Sequence, residues 1–420
     1  MSKSKKTLGL ITAPGYPNKI GKELQSQLPD LLSYYVDDQY EWHSDYIEDP
    51  LTGGTEKSLE VLGDTMDKKA EEEWDFAICL TDLPLFKGKR PIVAEAFEEE
   101  NVALISLPGL GSTPMLKRVR ESILQLVNEM YYGSSDEDRE KAEQRIQSKD
   151  DGEHEELKNK SSTRLVGKRA FERLSPIQRE TPDENESNID VRFTVKSRFS
   201  GALRVLTGMV RANRPWAMFP AFMKVIIIAF TTGSYALVFP TLWQLSNNYG
   251  IWRMFMLSIV AILAMVGWII LAHRLWERKS DSGGNDYLRK LYNASTFFTL
   301  LVTVCLYYVL LFLLFSVAVI VLIPIGMLES QLSGSTGYVN YFYIAWTATS
   351  VSTIIGALGS ALENEDVVLS STYGYRQRQR YEKIKESKEE KKEAEEEKKE
   401  AAEEKKEAAE EKKDAEEERD

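Results

Sequence analysis

Four apolar stretches in the second half of the chain constrain its fold more than any other feature: Val225–Trp243, Phe255–Ala272, Phe297–Ile323 and Tyr341–Leu358. A hydrocarbon core of about 30 Å takes roughly 20 helical residues to cross, and each stretch is close to that length. They predict an α-helical bundle of four transmembrane helices within 216–366. The residues before the bundle and the charged segment after it then stay in water.

Basic residues set the expected orientation. Lys196, Arg198, Arg204, Arg211 and Arg214 precede the first span, and Arg274, Arg278, Lys279, Arg289 and Lys290 lie between the second and third. Arg376, Arg378 and Arg380 follow the fourth. In the opposite connections, Leu245–Arg253 carries only Arg253, and Glu329–Asn340 has no Lys or Arg. Basic loops remain on the cytoplasmic side, which predicts a multi-pass membrane protein with both termini cytoplasmic and the lipid bilayer as its first partner. The N-terminal apolar run, Leu8–Ala13, is too short for a signal peptide. Of the two cysteines, Cys79 falls in a predicted strand and Cys305 in a span, so no disulfide framework is expected. A net charge of −12 opposes binding to nucleic acid.

Residues 1–133 read as an α/β domain with a mostly parallel, Rossmann-like three-layer sheet. Thr7–Thr12, Tyr40–Tyr46, Phe76–Leu80 and Val102–Leu107 have strand character, whereas Ile20–Tyr35, Glu56–Glu73 and Met115–Tyr131 have helical spacing. Such alternation argues for a sheet covered by helices. In these sheets ligands bind at the carboxyl ends of strands, beside helix N-termini. Three turns are predicted to converge there: Pro14-Gly15, the turn holding Asp82, and Gly109-Leu110-Gly111-Ser112-Thr113. Glycines allow close approach of a ligand, and free N–H groups attract an anion. Pro14, Gly15, Asp82, Gly109, Gly111, Ser112 and Thr113 are therefore the candidate ligand-binding residues, and Asp82 is the candidate catalytic carboxylate. The same residues also serve as ordinary turns and caps.

Glu41, His43 and Asp45 share one face of an alternating strand; solubility accounts for them, and no metal site is assigned. The order Thr81-Asp82-Leu83, Ser106-Leu107, helix resembles archaemetzincin-type zinc proteases. The segment 126–133, where their metal helix would fall, holds no histidine, so zinc proteolysis is excluded. The residues leave any cofactor unassigned.

Residues 134–199 read as a charged, partly disordered linker, with a solvated helix over Asp136–Lys149 and an extended segment over Ile189–Phe199. Residues 200–215 form a juxtamembrane amphipathic helix, lying on the inner membrane surface or leading into the first span. In the fourth span, Thr349, Ser352, Thr353, Gly356 and Ser360 recur at helical spacing as a small, polar stripe. Such a stripe packs helices closely or lines a path for a solute. Residues 367–420 form a charged helical tail whose heptads resemble a coiled coil but offer only alanine at the seam.

Arg211-Ala212-Asn213-Arg214-Pro215-Trp216, Leu291-Tyr292-Asn293-Ala294, Gly356-Ala357-Leu358-Gly359 and Tyr373-Gly374-Tyr375-Arg376-Gln377-Arg378 resemble segments of a widespread, uncharacterised bacterial membrane-protein family. That family joins a soluble α/β head to a hydrophobic C-terminal half, and the resemblance implies this architecture and a bacterial plasma-membrane location without supplying a catalytic residue. The expected function is a membrane-tethered sensing or interaction module binding a small anionic ligand or a cytosolic protein, with self-association into a homo-oligomer open. The alternatives are a membrane-associated enzyme using the α/β crevice and a small-solute transporter or channel component.

Overall fold

The computed structural model describes residues 3–50, 57–147, 159, 161–182, 189–277, 286–332 and 336–359. Ser360 and the tail over 367–420 lie outside the described residues.

The apolar runs of the head become β1 (Lys5–Thr12), β2 (Glu41–Glu48), β3 (Phe76–Thr81) and β6 (Val102–Ser106), all mutually parallel where they pair. A hairpin lies between β3 and β6: β4 (Leu85–Lys87) turns through Gly88, at φ 62°, into β5 (Arg90–Phe97). A two-residue hairpin turn favours positive φ, and β5 then pairs antiparallel with β6. Two further strands, β7 (Ile177–Glu180) and β8 (Val191–Val195), come from the segment expected to be linker. The sheet is mixed, in the order β2-β1-β3-β6-β5-β8-β7, with β4 beside β5.

Strand β8 is buried throughout and pairs with both β5 and β7. Arg192 on β8 donates to Glu95 on β5 across this antiparallel pair. The sheet therefore runs past the expected domain end at residue 133 to residue 195. The extended character read over Ile189–Phe199 marks this strand.

Side-chain alternation divides the core between two faces. Leu8, Leu10, Ile78, Leu80, Ala103 and Ile105 face α1 (Tyr16–Gln25), α2 (Leu28–Tyr35) and α5 (Met115–Tyr132). Ile11, Ala77, Cys79, Val102 and Leu104 pack with Val61 and Leu62 of α3 (Ser58–Glu71) on the other face. The helix expected over Ile20–Tyr35 is two helices, broken before Pro29 at the start of α2. After β6 the chain forms the short turn α4 (Leu107–Leu110), and α6 (Asp136–Gln147) and α7 (Ala170–Leu174) follow α5.

The juxtamembrane helix is α8 (Arg198–Asn213), started by the Ser197 side chain accepting from the Ser200 N–H. It ends at Arg214, which is left-handed at φ 52° and precedes Pro215; a residue before proline is disfavoured in the right-handed helical region. Val205, Met209 and Ala212 are buried in the core of the head, while Phe199 and Leu203 remain exposed. A 3₁₀ segment, Pro215–Phe222, leads to α9 (Met223–Ala236), α10 (Pro240–Asn248), α11 (Ile251–Ala272), α12 (Asp286–Leu322), α13 (Ile325–Gln331) and α14 (Tyr338–Gly359).

Three of these helices, α11, α12 and α14, are long and apolar enough to cross a membrane, with mean hydropathies of 2.7, 2.8 and 1.2. The first expected span is broken. Its residues are divided between α9 and α10, which meet at 93°. Fourteen residues give α9 a length of about 21 Å, short of a hydrocarbon core, and Pro240 at the start of α10 supplies no N–H to continue the ladder. Helix α12, with 37 residues, is about 55 Å long. Its first turns therefore extend beyond any bilayer, and there Leu288, Leu291 and Tyr292 join the core of the head.

Helix α8 lies against α4 with no room between them. A Cβ at Gly208 would sit inside van der Waals contact of the Pro108 backbone, whereas one at Gly63, within α3, would meet nothing within 4 Å. Thermal melting of the full chain in detergent should show Gly208→Val destabilised by about 1–3 kcal/mol, the usual cost of overpacking. Gly63→Ala should gain about 0.5–1 kcal/mol from helix propensity.

Candidate functional site

The predicted ligand crevice lies at the carboxyl ends of β1, β3 and β6, and the chain itself fills much of it. Asp82 is fully buried in the turn after β3. In that turn the Thr81 hydroxyl accepts from the Leu83 N–H at 3.1 Å, and the Ser106 hydroxyl donates to the Leu83 carbonyl at 2.7 Å. Gly109 belongs to α4, and a Cβ there would meet the backbone of Ile92 and Val93 at 2.9 Å. Its bare Cα therefore serves the fit of α4 on β5. Gly111 has φ 83° and lies under the Phe171 ring. Pro14 and Ser112 are half-buried, and Gly15 and Thr113 are exposed at the rim.

What closes the crevice is a pair of arginines that the spacing of turns did not reveal. Arg204 of α8 donates from Nε to the Gly109 carbonyl at 2.9 Å and from Nη2 to the Leu110 carbonyl at 3.3 Å, and it also bonds the Ser175 carbonyl. Arg118 of α5 donates to the Leu110 carbonyl at 2.7 Å. Both guanidinium groups reach the Glu172 carboxylate, at 2.9 Å from Arg118 and 3.0 Å from Arg204. The Phe171 ring lies 5.3 and 5.2 Å from the two, within cation–π range. Neither arginine has solvent-exposed surface. Burial pulls the Arg204 guanidinium down to about 10, which leaves it charged at neutral pH, and it lowers Arg118 as well. The N–H-rich turn expected to receive an anion thus has its carbonyls occupied by cations of the same chain.

Residues 211–216 and 291–294 lie where the head meets the helices. The Arg211 guanidinium stacks 4.2 Å from the Trp216 ring and 5.9 Å from the ring of Tyr16, the first residue of α1. Asn213 donates to the Thr299 hydroxyl of α12 at 2.8 Å. Leu291 and Tyr292 are in the core of the head, and the Asn293 side chain holds the backbone of Glu277 through both its donor and its acceptor. Phe86 of β4 touches the ring of Tyr287 edge-on at 5.2 Å.

The polar stripe of α14 lies inside the helical bundle. Thr349, Ser352 and Thr353 are buried, and the two threonine hydroxyls donate to carbonyls one turn back, at 2.7 and 2.8 Å. A Cβ at Gly356 would meet the Tyr307 hydroxyl, and one at Gly233 of α9 would overlap Ser352 and Phe315. Close approach of α9, α12 and α14 is what these small residues permit. A polar chain crosses the same bundle: Trp346 donates to Ser258 at 2.6 Å, Ser258 and Tyr308 share a bond of 3.0 Å, and Tyr308 and Ser350 one of 2.7 Å. Glu41, His43 and Asp45 are exposed on β2, where Asp45 accepts from the Trp74 indole. Among the described residues no group of three or more His, Cys, Asp or Glu could hold a metal ion.

Comparison with protein-family models, with curated proteins and with solved structures finds no match to this chain.

Replacing Arg204 with Met should leave the Gly109 and Ser175 carbonyls buried without their donor. The expected cost is about 3–5 kcal/mol, as for breaking a buried ion pair, read from urea unfolding followed by the head tryptophans Trp42 and Trp74. A loss below about 1 kcal/mol would mean that water already serves those carbonyls and that the crevice is open.

Proposed function

We propose that the chain is an integral protein of the bacterial plasma membrane whose cytoplasmic α/β head works as a sensing or interaction module coupled to its membrane helices. One observation carries this reading: the hydrophobic core of the head continues without a break through Val205, Met209 and Ala212 of α8 into Leu288, Leu291 and Tyr292 of α12. A head attached only by a loose tether would bury no part of a membrane-crossing helix. The flanks of α11, α12 and α14 expose large apolar side chains such as Ile259, Val260, Val317, Ile320 and Val321, a surface suited to lipid.

Four crossings follow if the bent pair α9 and α10 makes the first. Asn340, in the first turn of α14, donates to Asn247 at the end of α10, and Tyr341 donates to the Ile323 carbonyl after α12. These contacts gather α10, the end of α12 and the start of α14 at the end of the bundle away from the head. Arg274 just after α11 and Arg289 and Lys290 in the first turns of α12 then lie toward the head, on the cytoplasmic side by the positive-inside rule. A membrane-impermeant maleimide applied to intact cells should label Asn248→Cys and leave Lys19→Cys unlabelled, in a background with both native cysteines replaced. Labelling of neither would turn α9 and α10 into a re-entrant pair and remove the first crossing.

Coupling is tested in the full chain by hydrogen exchange. Truncating Leu291 and Tyr292 to Ala should speed exchange about tenfold or more in α8, α4 and β6, since each buried truncation costs about 2–5 kcal/mol. Faster exchange confined to α12 would make the head a passenger and end the proposal.

A further inference from the structure

The head has a second candidate site beside Glu172, the carboxylate that the two arginines share. The loop before α7, α7 itself and the start of β7 enclose a cleft of about 390 Å³, within the range of small-molecule pockets. Leu165, Val166, Pro176 and Ile177 give it apolar walls, and Arg164, Lys168, Arg169 and Arg173 line it with cations.

The charges there divide into two groups. Arg169 is committed: it holds Glu121 with both nitrogens, at 2.9 and 2.7 Å. Glu172, the one carboxylate on the cleft wall, is committed to Arg118 and Arg204 behind it. Arg164, Lys168 and Arg173 are exposed and make no side-chain hydrogen bond or ion pair among the described residues. Three such cations around one cleft repel each other. The carboxylates Glu121 and Glu172 are already shared with Arg118, Arg169 and Arg204, so the described charges lining the cleft are four cations against one carboxylate. This occurs in a chain whose net charge is −12, where carboxylates to offset the cluster are abundant elsewhere in the sequence. A concave, low-dielectric site of one sign concentrates counter-ions of the other.

From this geometry we infer that the cleft binds a soluble, phosphorylated small molecule of nucleotide size. Its phosphoryl oxygens sit among Arg164, Lys168 and Arg173, and its less polar body lies on Leu165, Val166, Pro176 and Ile177. Guanidinium groups match phosphate in a fork geometry, and lysine adds a mobile point charge. A lipid phosphate has the same chemistry, but the placement of the cleft favours a soluble source. The Ser175 hydroxyl donates to the Ser200 carbonyl in the first turn of α8, whereas the membrane joint is at Asn213, about 20 Å further along that helix. The inference does not depend on coupling between head and helices: binding is read at the cleft, coupling by exchange across α8.

The test uses the full chain in nanodiscs of zwitterionic lipid at about 0.15 M salt, where exposed charges remain unscreened over roughly 8 Å. Binding of ADP and of inorganic pyrophosphate is measured by calorimetry and by thermal shift. Both should bind. Arg164→Ala/Lys168→Ala/Arg173→Ala should melt unchanged without ligand and bind at least about tenfold more weakly. Lys89→Ala/Lys117→Ala, which removes exposed lysines elsewhere, should bind as the parent does. Absence of binding, equal binding by the triple variant, or a response only to nanodiscs containing phosphatidic acid would each overturn the inference.

Discussion

Arg204 carries a full charge without any solvent-exposed surface, and the arrangement of the head follows from how that charge is satisfied. A buried guanidinium without partners would cost several kcal/mol, so α8 is held where the carbonyls of Gly109, Leu110 and Ser175 and the carboxylate of Glu172 converge. Gly208, one turn further on, lets the helix axis come down onto Pro108. The carboxyl end of the sheet, which in open α/β folds is the usual place for a ligand, becomes here a docking face for the chain's own helix. That exchange of roles accounts for Gly109 and Gly111 meeting protein atoms where a ligand was expected.

Much of this was legible in the sequence, and the parts that were not share a physical cause. The parallel strands β1, β2, β3 and β6 are contiguous apolar or alternating runs, and the amphipathic α5 is found where its spacing places it. The β4–β5 hairpin was missed because Lys87-Gly88-Lys89-Arg90 reads as a polar turn, and Glu95 interrupts an otherwise buried strand. Glu95 is tolerated there only because Arg192 pairs with it from β8, nearly a hundred positions along the chain. The reading of 134–199 as linker noted extended character at β8 but not β7 or the pairing of either for the same reason: both strands are short, and their burial depends on a sheet edge built by distant residues. Local patterning carries no record of such an edge.

Arg204 shows the limit from the other side. In the sequence it is one of several basic residues before a membrane span, and the positive-inside rule counts it with Lys196, Arg198, Arg211 and Arg214. In the structure it faces the interior of the head, and Arg211 stacks on Trp216. Charges that seem to address the lipid surface here serve the docking of α8. The signal that could have separated them is Gly201 and Gly208, seven residues apart on the same helical face as Arg204. A charged residue on a face of small residues points to close packing against polar backbone, not to solvent.

Two connections of opposite character join the head to the bundle. Helix α12 is an unbroken run from Asp286 to Leu322 that shares its first turns with the head and the rest with the other apolar helices. The second connection is interrupted twice. Arg214 leaves the helical region before Pro215, and the 3₁₀ segment to Phe222 contains Pro220. Short 3₁₀ pieces with poor hydrogen-bond geometry mark places where helical continuity gives way. Helix α12 is therefore the continuous link between head and bundle, and residues 214–222 are the interrupted one. Both links lead into the same seam, where the bare Cα atoms of Gly233 and Gly356 let α9, α12 and α14 close on one another.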